Sequence, residues 1–130
     1  MDLVSVQSKK EGLFTIKVRS HEVDTEISTE KEGKDRGPNP TELLVGSLGG
    51  CIAIMVNSYC KTHGYTDGDV EVSLTYQLAG KPASVDSIVV DLEIPRDVPE
   101  NRKKAILKVA HLCPIHKTLT NPPEIDIEII

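Results

Sequence analysis

Tryptophan is absent, and the 130 residues include only Phe14, Tyr59, Tyr65 and Tyr76 as aromatics. Whatever core the chain builds is therefore aliphatic. There is no excess of basic residues: the formal net charge is −5, which argues against a general nucleic-acid surface. The cysteines number three, too few and too odd for a disulfide framework. With no signal-peptide pattern at Met1–Val6, they fit a reducing, cytoplasmic setting. The longest uncharged apolar run, Leu43–Val56, is shorter than the roughly 20 residues a membrane span needs. The phosphate-cradling glycine motif, the dinucleotide fingerprint and the G-x-S-x-G elbow are all missing. A soluble protein of one domain, residues 1–130, is expected, with no membrane partner, and any chemistry it performs is thiol chemistry.

What the chain does have is a long apolar helix pattern. Within GPNPTELLVGSLGGCIAIMVNSYCKTHG (37–64), Asn39 is a suitable N-cap, Pro40 fits the first helical position, and Glu42 completes a capping box. Gly64 supplies a left-handed stop after His63. A helix over 40–63 would be about 36 Å long. It is apolar all round, so it is expected to be buried. One sheet covers one flank; a second helix or a second subunit is expected on the other. Gly46 and Gly50, spaced by four, suit close approach of another backbone, with packing on the chain's own sheet as the alternative.

Around this helix the pattern has a period of two. Strands are expected over 3–7, 13–19 and 22–27, with a turn at Lys9–Gly12 and a charged loop over 28–37. Val70–Leu78 and Ile88–Ile94 alternate as a second pair. Pro99 opens another helix through about Leu112. Cys113-Pro114 starts a short one, and Ile125, Ile127 and Ile129 suggest a last strand. The order βββ–α–ββ–α–α–β indicates an α+β fold with largely antiparallel sheet.

Each thiol has a distinct setting. Cys51 lies mid-helix, where a free Cys is commonly a small buried hydrophobe. Cys113 caps a helix N-terminus, whose free N–H groups and dipole favour a thiolate. Cys60 is nine residues beyond Cys51, on the opposite face and about 13.5 Å along the axis, out of disulfide reach. It is expected to be packing. If Cys51 has a partner in its own chain, Cys113 is the candidate. Cys60, His63, Cys113 and His116 form two C-x-x-H pairs, a ligand set zinc accepts, but without zinc-finger spacing. His21 and His111 are expected to be ordinary polar residues.

The segments GPNPTELLVGSLGGC and HLCPIHKTL, separated by a strand pair and a helix, resemble the OsmC/Ohr family of osmotically induced and organic-hydroperoxide-resistance proteins, in particular its OsmC-like branch. The resemblance spans nearly the whole chain. It implies an OsmC-like fold: an intertwined homodimer with a long buried central helix and antiparallel sheets. It also implies a thiol peroxidase acting in oxidative-stress defence without cofactor or metal. Cys51 would be the peroxidatic thiolate, Cys113 the resolving thiol, an organic hydroperoxide the substrate and a dithiol the reductant.

The active branch of that family pairs an Arg with a Glu near the thiol. Here Lys10 stands at the Arg position, keeping the charge but not the planar fork, and Thr41 stands at the Glu position. Arg19 and Arg36 are further cations for the thiolate-stabilising role, and the sequence does not choose among them. A non-catalytic binder of small apolar ligands on the same dimeric scaffold is the alternative reading.

Overall fold

The computed structural model describes residues 2–130, and the chain divides into two compact units, 1–44 and 45–130. In the first unit, β1 (Ser5–Lys10), β2 (Leu13–Val18) and β3 (His21–Glu26) form an antiparallel meander in that order. The period-two pattern sets its register. Val6 faces Ile16, which faces Val23, while Thr15 faces Asp24 on the other side of the sheet. Gly12 turns the first hairpin with φ 73°, a conformation only glycine adopts without cost. Arg19 takes φ 52° in the second turn. The charged loop that follows holds a short 3-10 turn, Thr29–Lys31.

The long helix α1 runs from Pro40 to Thr62. Its start is the expected capping box: Asn39 Oδ1 accepts from the Glu42 N–H, and Glu42 Oε1 accepts from the Asn39 N–H, both at 2.9 Å. Gly64, at φ 75°, ends it.

In the second unit α1 lies on an antiparallel pair, β4 (Glu71–Ala79) and β5 (Ser84–Glu93). Leu48, Ile52, Val56 and Cys60, four residues apart, form its buried ridge. Val72 and Leu74 of β4 pack there with Ile88, Val90 and Leu92 of β5. Side chains of this size each contribute about 1.5–3 kcal/mol when fully buried. Gly49 permits the close seat on β4, since a Cβ there would collide with Leu74. A 3-10 turn, Glu100–Arg102, leads into α2 (Lys103–His111), which inserts Ile106 into the same core; α3 (Pro114–Thr120) follows.

Two expectations change here. Helix α1 is long and apolar enough to cross a membrane by length and composition, but its ridge is committed to the core of this unit. It is not buried all round, however. Ile54 is 72% exposed, and among the described residues nothing lies within 4 Å of a Cβ built at Gly46 or Gly50, so these two glycines do not pack on the chain's own sheet.

The last strand does not form. Residues 122–130 have no secondary structure, and Ile125, Ile127 and Ile129 are exposed. Alternation prepares one apolar face, but a strand exists only where another strand accepts its backbone hydrogen bonds. Among the described residues no strand is presented to this segment.

Candidate functional site

The second unit brings two of the three thiols together. Cys51 is half-buried on α1, one turn before Met55. Cys113 is completely buried, at 0% exposure, where α2 gives way to α3. Pro114 opens α3, and the Cys113 sulfur caps it by accepting the His116 N–H at 3.4 Å. Capping is therefore as expected, but the thiolate expectation is not met. Burial pushes the Cys113 thiol above its ordinary value, and a side-chain hydrogen bond to Cys51 raises it further. The N–H groups of His116 and Ile115 oppose this without reversing it. A seven-residue helix has a weak terminal field, and full desolvation outweighs it.

Both the hydrogen bond with Cys51 and the coulombic effect of that neighbour disfavour a thiolate at Cys113. Two free thiols joined by a hydrogen bond are placed to form a disulfide on oxidation. All three cysteines are free thiols.

Cys60 is a core residue, 1% exposed, its thiol raised by burial and by the nearby Asp97 carboxylate. The two C-x-x-H pairs do not assemble: among the described residues no three His, Cys, Asp or Glu side chains are grouped to hold a metal ion. His63 instead stacks on Tyr59, with ring centroids 4.1 Å apart, and His116 meets His111 edge-on at 5.2 Å.

The first unit holds the three candidate cations. Lys10 is exposed at the end of β1, beside a register irregularity, and Arg19 is exposed in the turn between β2 and β3. Arg36 is fixed. Its Nη2 donates to Glu26 Oε1 and to the Glu11 carbonyl, both at 2.8 Å, and its Nε donates to Glu26 Oε2 at 3.1 Å. The Glu26 carboxylate also accepts the backbone N–H groups of Lys34 and Arg36. These bonds, the Arg36 side chain first, hold the Glu26 pKa down to about 2.

Sequence reading missed Glu26 altogether. It sits in a charged alternation with Glu22 and Asp24 that looks like a solvated strand face, and nothing local reveals that it is 5% exposed. Its only signal is an arginine ten residues away across a loop. Thr41 lies in the first turn of α1, where Glu42 performs the capping.

Comparisons with known proteins agree with this fold. A family model described as OsmC-like protein matches residues 31–128. An OsmC-like protein from Mycoplasma pneumoniae superposes with a TM-score of 0.78 at 16% identity, covering 94% of this chain and 89% of that one. An organic hydroperoxide resistance protein OsmC from Legionella pneumophila gives 0.65 at 17%, covering 92% and 88%. The organic hydroperoxide resistance protein OhrB of Bacillus subtilis gives 0.59 at 15%, covering 92% of each. At these identities each likeness shows the fold. No curated protein sequence matches the chain.

Proposed function

Because this chain belongs to the OsmC-like family, we propose that it is a thiol peroxidase for organic hydroperoxides, working as a cytoplasmic homodimer in oxidative-stress defence. The observation that carries this reading is the side-chain hydrogen bond between a half-buried Cys51 and a fully buried Cys113. Two of the similar structures are named as organic hydroperoxide resistance proteins, which supports the substrate class.

Cys51, the less buried of the two thiols, is the one a hydroperoxide reaches first. The Cys51 thiolate attacks the outer oxygen of the hydroperoxide. The O–O bond breaks, the alkoxide leaves and takes a proton as the alcohol, and Cys51 becomes a sulfenic acid. Cys113, once deprotonated, attacks the Cys51 sulfur; water departs and a disulfide remains. A dithiol reductant then returns both cysteines to thiols and is itself oxidised to a disulfide. No step calls for a cofactor or a metal. Lys10, Arg19 and Arg36 are the candidates to favour the Cys51 thiolate. Arg36 is distinguished by its fixed, planar guanidinium, which a lysine does not reproduce.

The homodimer reading rests on the open side of α1. Gly46, Gly50 and Ile54 lie four residues apart along it, apolar and uncovered within the chain. A second copy is the partner whose backbone fits against them.

The test is intact-mass analysis and peptide mapping of the reduced protein after one equivalent of cumene hydroperoxide, run beside hydrogen peroxide. A rapid Cys51–Cys113 disulfide, faster with the organic oxidant, is expected. Thiols that stay unmodified for minutes would reject peroxidase chemistry and favour the non-catalytic binder of small apolar ligands.

A further inference from the structure

Four strand edges are open among the described residues. β1 and β3 bound the three-stranded sheet, and β4 and β5 each keep one free edge of their pair. An open edge carries unpaired N–H and C=O groups and is a template for another strand. The same chain holds a strand pattern without a template. After Pro122-Pro123, residues 124–130 read EIDIEII, free of proline and glycine. In an extended chain Ile125, Ile127 and Ile129 fall on one side and Glu124, Asp126 and Glu128 on the other. All three isoleucines are exposed, although β-branched alternation of this kind suits a half-buried strand.

Charge selects among the edges. β3 carries Glu22, Asp24 and Glu26, β4 carries Glu71, and β5 carries Asp86, Asp91 and Glu93. Each would set carboxylates beside those of the segment. β1 has Lys9 and Lys10 and no acidic residue. Like charges side by side across a sheet destabilise it, and opposite charges stabilise it. The two faces match as well. Val6, Ile16 and Val23 lie in cross-strand register, with Val6 57% and Val23 40% exposed. A row of isoleucines beside Val6 would extend that apolar face. Lys9 reaches the opposite face, where it bonds Asp24 at 2.9 Å, and that face would receive the carboxylates.

We propose that segment 124–130 of one copy adds as a further strand to the free edge of β1 in a second copy. This rests on the homodimer reading above and gives it a second surface, separate from the open side of α1. Within one chain neither β1's outer edge nor the segment is paired. In a two-fold pair the exchange occurs twice, so both β1 edges are occupied and no growing end is left. Main-chain hydrogen bonds hold the added strand, and the alternating side chains decide which edge accepts it.

The experiment is amide hydrogen exchange, with light scattering after gel filtration. It compares wild type, a chain lacking residues 124–130, and the triple variant Glu124→Lys, Asp126→Lys, Glu128→Lys. In wild-type dimers the β1 amides that face away from β2 are expected to exchange slowly, as are alternate amides of the segment. Removing or charge-reversing the segment should speed exchange at those β1 amides about tenfold or more, with the amides bonded between β2 and β3 unchanged. Lys10→Glu added to the triple variant should recover part of the protection, which a misfolded chain would not do; no recovery would overturn the selection of this edge by charge. Protection of the β1 edge that survives deletion of the segment would overturn the proposal, and so would a wild-type dimer whose β1 edge exchanges freely. A wild type that is monomeric at every concentration would overturn the homodimer reading and this proposal with it, an outcome distinct from a dimer with an unprotected β1 edge.

Discussion

Replacing Gly46 and Gly50 with alanine asks whether a second backbone lies on α1. Both positions are in the helix interior, and a Cβ at either meets nothing within 4 Å in the single chain. Glycine is less favourable than alanine there by about 0.8–1.0 kcal/mol. For an isolated chain the double variant Gly46→Ala, Gly50→Ala should therefore gain roughly 1.5–2 kcal/mol. That corresponds to a Tm higher by several degrees. If α1 instead packs closely on its counterpart in a second copy, the added methyl groups have nowhere to go. Overpacking of that kind costs about 1–3 kcal/mol per site, and in a two-fold arrangement each substitution occurs twice. The homodimer reading thus predicts the opposite sign: a lower Tm, and dissociation at concentrations where the wild type remains paired. Thermal melts at several protein concentrations, with light scattering after gel filtration, measure both. Gly49→Ala is the internal control, since its Cβ meets Leu74 within the same chain and should destabilise whatever the oligomeric state. A double variant with a raised Tm and an unchanged oligomeric state would refute close backbone packing at α1.

Cys51→Ser should abolish peroxide turnover, whereas Cys113→Ser should retain a first reaction and then accumulate sulfinic acid at Cys51, read by peptide mass. Over-oxidation that is no greater than in wild type would remove Cys113 from the resolving role. Glu26 has a depressed pKa, so its stabilising effect is fully present above the ordinary value of 4.5 and is lost as pH falls from there toward about 2. Acid unfolding followed by circular dichroism should show wild-type stability declining through that window, with a shallower decline in Glu26→Gln. Identical acid profiles would mean that the Arg36 pair contributes nothing to folding. Ile106→Ala removes a core side chain that is 1% exposed and should cost about 2–5 kcal/mol in urea unfolding. A cost below 1 kcal/mol would mean that α2 packs only loosely on this core.

Local chemistry, read from sequence alone, determined a large part of this protein. The Asn39–Glu42 box and Gly64 bound α1 to within a residue, because caps act over a single turn. Alternation placed all five strands that form, and Pro114 marked the start of α3. The order of elements and the α+β class followed. What the sequence could not supply depends on contacts between distant segments. Cys113 looked like a thiolate because its own turn favours charge, and only the packing of α1 and α2 around it shows that desolvation prevails. Glu26 and Arg36 are unremarkable until a loop folds one onto the other. Ile125, Ile127 and Ile129 carry the pattern of a strand, yet a pattern states only which face is apolar. Whether a neighbouring strand is there to receive it is a property of the tertiary structure, since a strand's hydrogen bonds, unlike a helix's, lie outside its own segment.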